Sequence, residues 1–137
     1  MDPPRNPTHV DLIYEEDLLV VRVDGSYDLE VEVCVQRARD AIELAHGYRL
    51  ILLDARKITT VTPDARKSMV AWSRGRTAPS AIAMFGANFA GMTLARMVLS
   101  AVRVLSKRHM RFDFFESEAA ARAWLVVRRA DLRKLVP

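Results

Sequence analysis

Histidine and cysteine are the side chains that most often bind metals or act as nucleophiles, and this chain has few of them. The three histidines, His9, His46 and His109, have neither the i, i+4 spacing nor the acidic neighbour that a zinc site needs. The single cysteine, Cys34, falls on the predicted buried face of a helix, where a thiol is typically a small core residue. The G-x-S-x-G, H-E-x-x-H and Gly-rich phosphate-loop motifs are absent from the sequence. We therefore predict a protein that is not an enzyme and that holds no metal or cofactor.

Asp54 is the acidic residue whose position most resembles that of a functional group. It closes the unbroken apolar run from Leu50 to Leu53, which is typical of a central strand covered on both faces. Ligands of α/β proteins bind at the carboxyl ends of such strands. Acids at strand ends more often cap the following turn, so we assign Asp54 a structural role.

Charge is distributed unevenly along the chain. Up to and including Asp64 the sequence has thirteen Asp and Glu against seven Lys and Arg, whereas no acidic residue lies between Asp64 and Asp113. That acid-free stretch contains nine bases: Arg66, Lys67, Arg74, Arg76, Arg96, Arg103, Lys107, Arg108 and Arg111. Such segregation favours a surface that meets an anionic partner.

Length and composition indicate one globular domain. The chain has 137 residues, half of them apolar, which is enough for a substantial core. Residues 1–8 contain three prolines and are expected to be a disordered lead-in to a domain spanning 9–137. No apolar run approaches the roughly 18 residues of a membrane span, and one cysteine fits a reducing compartment. We expect a cytoplasmic protein.

Hydrophobic periodicity predicts alternating strands and helices, and hence an α/β fold with a mixed sheet of about five strands and four packed helices. The predicted strands are His9 to Tyr14 and Leu18 to Asp24, paired as a hairpin, then Leu50 to Asp54, Ser80 to Phe85 and Arg111 to Phe115. The predicted helices begin at Asp28, Thr62, Phe89 and Ser117, and the first three end near Gly47, Gly75 and Lys107. The buried face of the first helix is expected to contain Val31, Cys34, Val35, Ala38, Ala41, Ile42 and Ala45.

Two motifs connect this arrangement to a known family. The run L-L-D from Leu52 to Asp54 closes a central strand before a short loop and a capped helix, and F-F-E-S-E-A-A-A-R-A-W-L spans Phe114 to Leu125. In this order they resemble the STAS domain, the fold of bacterial anti-sigma-factor antagonists, and more specifically the SpoIIAA-like group of STAS/CRAL-TRIO-like proteins. The resemblance implies a single SpoIIAA-like domain with an N-terminal hairpin, acting as a non-catalytic regulatory or protein-interaction module. Its CRAL-TRIO side implies the alternative of a binder of a lipid or other amphipathic small molecule.

The phosphorylated serine of regulated STAS domains has no counterpart here. Alignment on Leu53 and Asp54 places that stretch at Thr62 to Ala65, where Pro63 occupies the expected phosphoacceptor position. Thr62, Pro63 and Asp64 instead have the composition of a helix start, with Thr62 as the N-cap. We predict that the serine switch is absent, and we keep Thr62 and Asp64 as candidate partner-binding residues.

The third predicted helix has two rows of residues that point to an interaction. The candidate partner-binding bases on one stripe are Arg96, Arg103 and Lys107. The apolar residues outside the core stripe, candidates for an oligomer or ligand contact, are Leu94, Met97, Ala101 and Val104. We expect an acidic protein surface as the partner, with a homodimer, a lipid or an anionic membrane surface as alternatives. Nucleic acid is disfavoured because the basic stretch has no interleaved exposed aromatics. An apolar pocket beneath this helix would favour the small-molecule alternative.

Overall fold

The computed structural model describes residues 7–106 and 109–137 of the chain. The strands are β1 (Val10–Glu15), β2 (Leu18–Val23), β3 (Gly25–Tyr27), β4 (Arg49–Asp54), β5 (Ile58–Val61), β6 (Ser80–Phe85) and β7 (Met110–Phe115). The helices are α1 (Leu29–His46), α2 (Pro63–Ser73), α3 (Phe89–Leu105) and α4 (Glu118–Leu135). The predicted lead-in lies outside the described residues except for its last two positions, and so does Lys107.

The main sheet has five strands in the order β1-β2-β4-β6-β7. β1 pairs antiparallel with β2, and every other neighbouring pair in this sheet is parallel. The sheet is therefore mixed, and β4 lies at its centre, which confirms the prediction made from its unbroken apolar run. A second, two-stranded parallel sheet of β3 and β5 was not predicted, because segments of three and four residues are too short to show a period.

Helices cover both faces of the main sheet, as alternation along the strands requires. On one face, α1 packs on Leu19, Val21 and Ile51 of β2 and β4. α2 and α3 lie over the same face, farther toward β7. α4 covers the opposite face and packs Leu125 and Leu132 against the alternate residues of β2, β4 and β6. The cleft described below lies on the three-helix face.

Side-chain caps fix the helix ends near their predicted positions. Asp28 accepts from the backbone N–H of Val31, and Gly47 ends α1 with a φ of 80°, a left-handed conformation that favours glycine. Thr62 and Ser117 are the N-caps of α2 and α4, as predicted. These local signals set the lengths of the helices.

The buried face of α1 differs from the one predicted. Ala41 and Ala45, expected in the core, are exposed, whereas Glu32 and Arg39 are buried. The buried arc is rotated toward these two charged residues because they pair with each other. An apolar pattern contains no information about such a pair.

Candidate ligand-binding cleft

A cleft of about 240 Å³ lies between α3 and the three-helix face of the sheet. α3 contacts α2 on one side and the edge strand β7 on the other, so it bridges the sheet at a distance from β4 and β6. Gly91 and Ala95, both on the inner side of α3, fill little of the space beneath the helix. The cleft is the gap that this bridging arrangement leaves.

Aliphatic and thioether side chains form most of the cleft wall. The floor, from β4 and β6, consists of Ile51, Leu53, Ile82 and Met84. The roof, from α3, consists of Leu94, Ala95, Val98, Leu99 and Val102. The central wall of the cleft is therefore apolar on both sides.

The carboxyl ends of β4 and β6 form the open end of the cleft. Arg56 and Asn88 line this end and are exposed, and Gly86 lies between them in the lining. Gly86 has a φ of 80°, and a Cβ there would lie 2.3 Å from the Cγ of Arg56. Only glycine therefore permits the close approach of the two loops at this end.

Asp54 orders the loop at the open end. Its Oδ1 accepts from the backbone N–H of Arg56 at 3.1 Å, and its Oδ2 accepts from the guanidinium groups of Arg56 and Arg22, each at 2.8 Å. Burial raises the pKa of Asp54, but these hydrogen bonds more than compensate and lower it to about 2. The carboxylate is a strand-end cap, as predicted from its position.

A buried hydrogen-bond network links Tyr27 of β3 to α1 and borders the cleft, whose lining includes Tyr27 and Arg39. Glu32 Oε1 accepts from the Tyr27 hydroxyl at 2.7 Å and from Arg39 Nη2 at 2.8 Å. Glu32 Oε2 accepts from Gln36 Nε2 at 2.7 Å and from Arg39 Nη1 at 3.0 Å. Burial raises the pKa of Tyr27 well above its ordinary value of 10. The carboxylate of Glu32 is therefore fully used inside the protein.

The indole of Trp72 is surrounded by three guanidinium groups. The Cζ atoms of Arg39, Arg49 and Arg76 lie 4.9, 4.7 and 4.2 Å from the centre of the Trp72 ring. Each distance is within the range of a cation–π interaction. Trp72 also lines the cleft, and its buried Nε1 donor has no hydrogen-bond partner among the residues that the structure describes.

Among the three arginines around Trp72, at the closed end of the cleft, Arg49 has the longest ion-pair distance to its nearest carboxylate. It is only 5% exposed and donates from Nη2 to the carbonyl of Ala78 at 3.3 Å. Within the described residues its buried Nη1 makes no hydrogen bond, and it faces Glu43 Oε1, a buried acceptor that also makes none, at 3.6 Å. Burial lowers the pKa of Arg49 to about 10, Glu43 opposes this change, and the nearby charges of Arg39 and Arg76 add to it. At neutral pH the group is still a cation.

The described lining of the cleft contains basic side chains and no acidic ones. Among the described residues that line the cleft there are three arginines, Arg39, Arg49 and Arg56, and no aspartate, glutamate, histidine or cysteine. Within the same described part of the chain, no group of three or more such residues is placed to hold a metal ion. The cleft is therefore suited to binding an apolar body and an electron-rich polar group.

The predicted apolar row of α3 divides between the cleft and the surface. Leu94 lines the cleft and Ala101 is half-buried. Met97 and Val104 are exposed, by 66% and 82%. Of the four residues, Leu94 is the one in the described lining of the cleft.

The predicted basic stripe of α3 lies against the edge strand. Arg96 and Arg103 are exposed, and their guanidinium groups lie over the rings of Phe114 and Phe112 at 5.2 and 4.9 Å. These arginines shield two aromatic rings of β7 from solvent. Lys107, the third member of the stripe, lies outside the described residues.

Thr62 and Asp64 lie together at the start of α2. The Thr62 hydroxyl accepts from the Ala65 N–H at 3.4 Å and donates to the Asp64 carboxylate, which itself accepts from the same N–H at 2.9 Å. Hydrogen bonding from Thr62 lowers the pKa of Asp64. Both side chains cap the helix, and neither lines the cleft.

The residues of the closed end were not identified from the sequence. Arg49 sits at the start of an apolar strand, where a charged residue is ordinarily taken as a strand terminus. Neither Trp72 nor Arg39 was singled out as a functional residue. A weak signal did exist, because Glu32 and Arg39 are seven residues apart and share one face of a helix.

Comparison with other proteins assigns no family to this chain. No model of a known protein family matches it, and no curated protein matches its sequence. Across residues 7–106 and 109–137, every helix falls short of the length and apolar character that crossing a membrane demands.

Proposed function

We propose that this protein is a non-catalytic binding domain that holds an elongated apolar or amphipathic small molecule in the cleft beneath α3. The observation that carries the proposal is the cleft of about 240 Å³ with aliphatic side chains on its floor and roof. An apolar cavity of roughly 150 Å³ is enough to bind benzene, and drug-sized ligands occupy roughly 300–1,000 Å³. The volume therefore suits a small or narrow ligand.

The shape of the cleft favours an extended chain. The lining follows the whole length of β6, from Ser80 at the closed end to Gly86 just beyond the open end. Six strand residues at about 3.3 Å each span roughly 16 to 20 Å. An extended alkyl chain of twelve carbons, with bonds advancing roughly 1.3 Å each, is about 14 Å long and fits within this length together with a polar head group.

We also propose that the domain is STAS-like and of the SpoIIAA-like group. The support is coarse: a five-stranded mixed sheet with an N-terminal hairpin and four helices, and a Ser117-capped helix after the last strand. Of the two functions that this resemblance implies, the apolar cleft favours the small-molecule binder of the CRAL-TRIO side.

The proposal is tested by titrating the purified protein with a series of 1-alkanols from six to fourteen carbons, followed by calorimetry and by intrinsic fluorescence. Burial of each methylene contributes about 0.8 kcal/mol, so affinity should rise about fourfold per carbon. The increase should stop once the chain fills the cleft, near twelve carbons. Absence of binding across the series contradicts the proposal.

A matched pair of variants locates the binding. Ala95 lines the cleft and Ala90, on the same helix, is exposed. Ala95→Phe should place a ring in the cleft and reduce alkanol affinity at least tenfold, whereas Ala90→Phe should leave it unchanged. Equal affinities in the two variants would place the alkanol elsewhere on the protein.

A second candidate function, protein interaction, is favoured by the outer surface of α3. Phe89, Met97 and Val104 are 81%, 66% and 82% exposed and lie on the solvent side of the helix. We propose a second copy of the chain, or an acidic protein surface that also meets the bases of this helix and of α2, as the partner. Light scattering on the wild type and on Met97→Lys tests the first possibility, since a dimer formed through this surface should dissociate in the variant.

A further inference from the structure

Two buried donors at the closed end of the cleft make no hydrogen bond within the described residues, although one of them faces the equally unpartnered Glu43 Oε1 at 3.6 Å. They are Nη1 of Arg49 and Nε1 of Trp72, and both residues line the cleft. Buried donors in folded proteins are almost always paired, because an unpaired one loses its interaction with water and gains nothing in exchange. Both groups can only donate, so only an acceptor can satisfy them.

The charges around Trp72 show where an anion would be needed. Arg39 forms a two-bond pair with Glu32 at 2.8 and 3.0 Å, and Arg76 donates to Asp40 at 2.9 Å. Arg49 has the least solvent-exposed side chain of the three arginines, and its Glu43 contact of 3.6 Å includes no hydrogen bond. A buried cation is costly unless an anion both neutralises it and accepts its hydrogen bonds.

We propose that the ligand is a monocarboxylate with an alkyl tail, whose carboxylate binds Arg49 and Trp72 at the closed end while the tail lies along the apolar wall toward Gly86. This assignment rests on the proposed function, because it identifies the chemistry of the molecule in the same cleft. A carboxylate has two oxygens, enough to accept one hydrogen bond from each residue. Charged donors and acceptors form the stronger hydrogen bonds, particularly where water is excluded.

Glu43 does not prevent this arrangement. Its side chain is 27% exposed and contacts Arg49 only at 3.6 Å and Arg76 only at 4.0 Å. An entering carboxylate at hydrogen-bond distance from Arg49 replaces a loose contact by a close one, and Glu43 can then turn toward Arg76 and solvent. Among the described residues that line the cleft there is no acid, so Glu43, just outside the lining, is the carboxylate that must move away from an entering anion.

The experiment compares three probes of equal chain length, dodecanoate, 1-dodecanol and dodecylammonium, each kept below its micellar concentration. Dodecanoate should bind at least tenfold more tightly than dodecanol, and dodecylammonium should bind most weakly. In Arg49→Met the affinity for dodecanoate should fall at least tenfold, whereas that for dodecanol should change less than threefold. Arg76→Met is the matched control, since it removes another guanidinium beside Trp72 and should preserve the preference for dodecanoate.

Two further measurements keep the test decisive if Arg49→Met does not fold. Trp72→Phe keeps an aromatic ring but removes the Nε1 donor, and it should weaken dodecanoate binding more than dodecanol binding. The ¹³C resonance of carboxyl-labelled dodecanoate should show that the bound acid titrates at a lower pH than the free acid, because a buried cation favours its ionised form. An unaltered titration, or an unaltered preference for dodecanoate in Trp72→Phe, overturns the assignment.

The outcomes separate the two proposals. If none of the three probes binds, the proposed function fails together with the assignment of the ligand. If dodecanol binds as tightly as dodecanoate, the cleft binds apolar chains but the carboxylate assignment is wrong. If dodecanoate is preferred equally by the wild type and by Arg49→Met, the anion is held elsewhere and the assignment is again wrong.

Discussion

Replacement of Glu32 by leucine should be among the most destabilising single changes in this protein. The Glu32 side chain is 0% exposed and accepts four hydrogen bonds, two of them from Arg39, whose side chain is 10% exposed. Leucine has a similar size but leaves the Arg39 charge buried without a counter-ion and the Tyr27 hydroxyl without an acceptor. Removing one member of a buried ion pair costs about 3–5 kcal/mol.

This loss is large compared with the stability of the whole domain. At roughly 0.05–0.15 kcal/mol per residue, a chain of this length has a free energy of unfolding of about 7–20 kcal/mol. A decrease of about 4 kcal/mol, with a slope near 1.5 kcal/mol per molar urea, lowers the urea midpoint by about 2.5 M. Glu30→Leu is the matched control, since this acid lies on the exposed side of the same helix and should change stability by less than about 0.5 kcal/mol.

A double-mutant cycle tests whether the lost free energy of unfolding comes from the Glu32–Arg39 ion pair. In Glu32→Leu with Arg39→Met, neither charge remains, so the double variant should be more stable than Glu32→Leu alone. Urea unfolding followed by far-ultraviolet circular dichroism measures all four proteins. The reasoning is refuted if Glu32→Leu costs less than about 1 kcal/mol, or if the two single costs simply add in the double variant.

Three further predictions concern the open end of the cleft and the start of α2. The pKa of Asp54 is lowered from 3.8 to about 2, so its carboxylate stabilises the fold above pH 4 and this contribution is lost as the pH falls through 2. The shift in pKa corresponds to about 2.4 kcal/mol of stability, and screening by solvent around Arg56 reduces it to about 1–1.5 kcal/mol. The free energies of unfolding of the wild type and of Asp54→Asn, measured in urea, should therefore differ at pH 6 and converge toward pH 2. Gly86→Ala should destabilise the protein by about 1–3 kcal/mol. Gly75→Ala should destabilise it less, because an added Cβ collides with Arg56 at position 86 and meets no atom within 4 Å at position 75. Thermal unfolding of both variants compares the two losses. Thr62→Ala should lower the free energy of unfolding by only about 0.5 kcal/mol, because the Asp64 carboxylate accepts from the same Ala65 N–H. A loss above about 2 kcal/mol in urea unfolding would contradict that explanation.

The main elements of the fold could be predicted because their signals are local. The five strands of the main sheet follow from apolar runs and alternation, and the helix ends follow from caps such as Asp28, Gly47 and Ser117. The small sheet of β3 and β5 depends on a pairing between segments more than thirty residues apart, and neither segment has a period of its own. Long-range pairing of short strands is what a local pattern cannot show.

The cleft could be anticipated only in part. The sequence indicated that α3 has more apolar residues than one core stripe needs, and Leu94 does line the cleft. The distance of α3 from the sheet depends on its contacts with α2 and β7, which are set by tertiary packing. The closed end depends on which charges remain unpaired after folding, so Arg49 could not be distinguished from any other arginine at a strand end.

The uneven distribution of charge along the sequence has a different meaning in the folded protein. Asp17 is buried and pairs with Arg129 from the opposite end of the chain, at 2.9 Å. Arg76, from the acid-free stretch, pairs with Asp40 of the acidic half. The Arg76–Asp40 pair joins the acid-free stretch to the acidic half within the fold, so the segregation does not by itself require an external anion. The need for an anion is greatest at Arg49, which is buried, weakly paired and next to an apolar cleft. The anionic partner inferred from the sequence is therefore better sought inside the cleft than on the surface of α3.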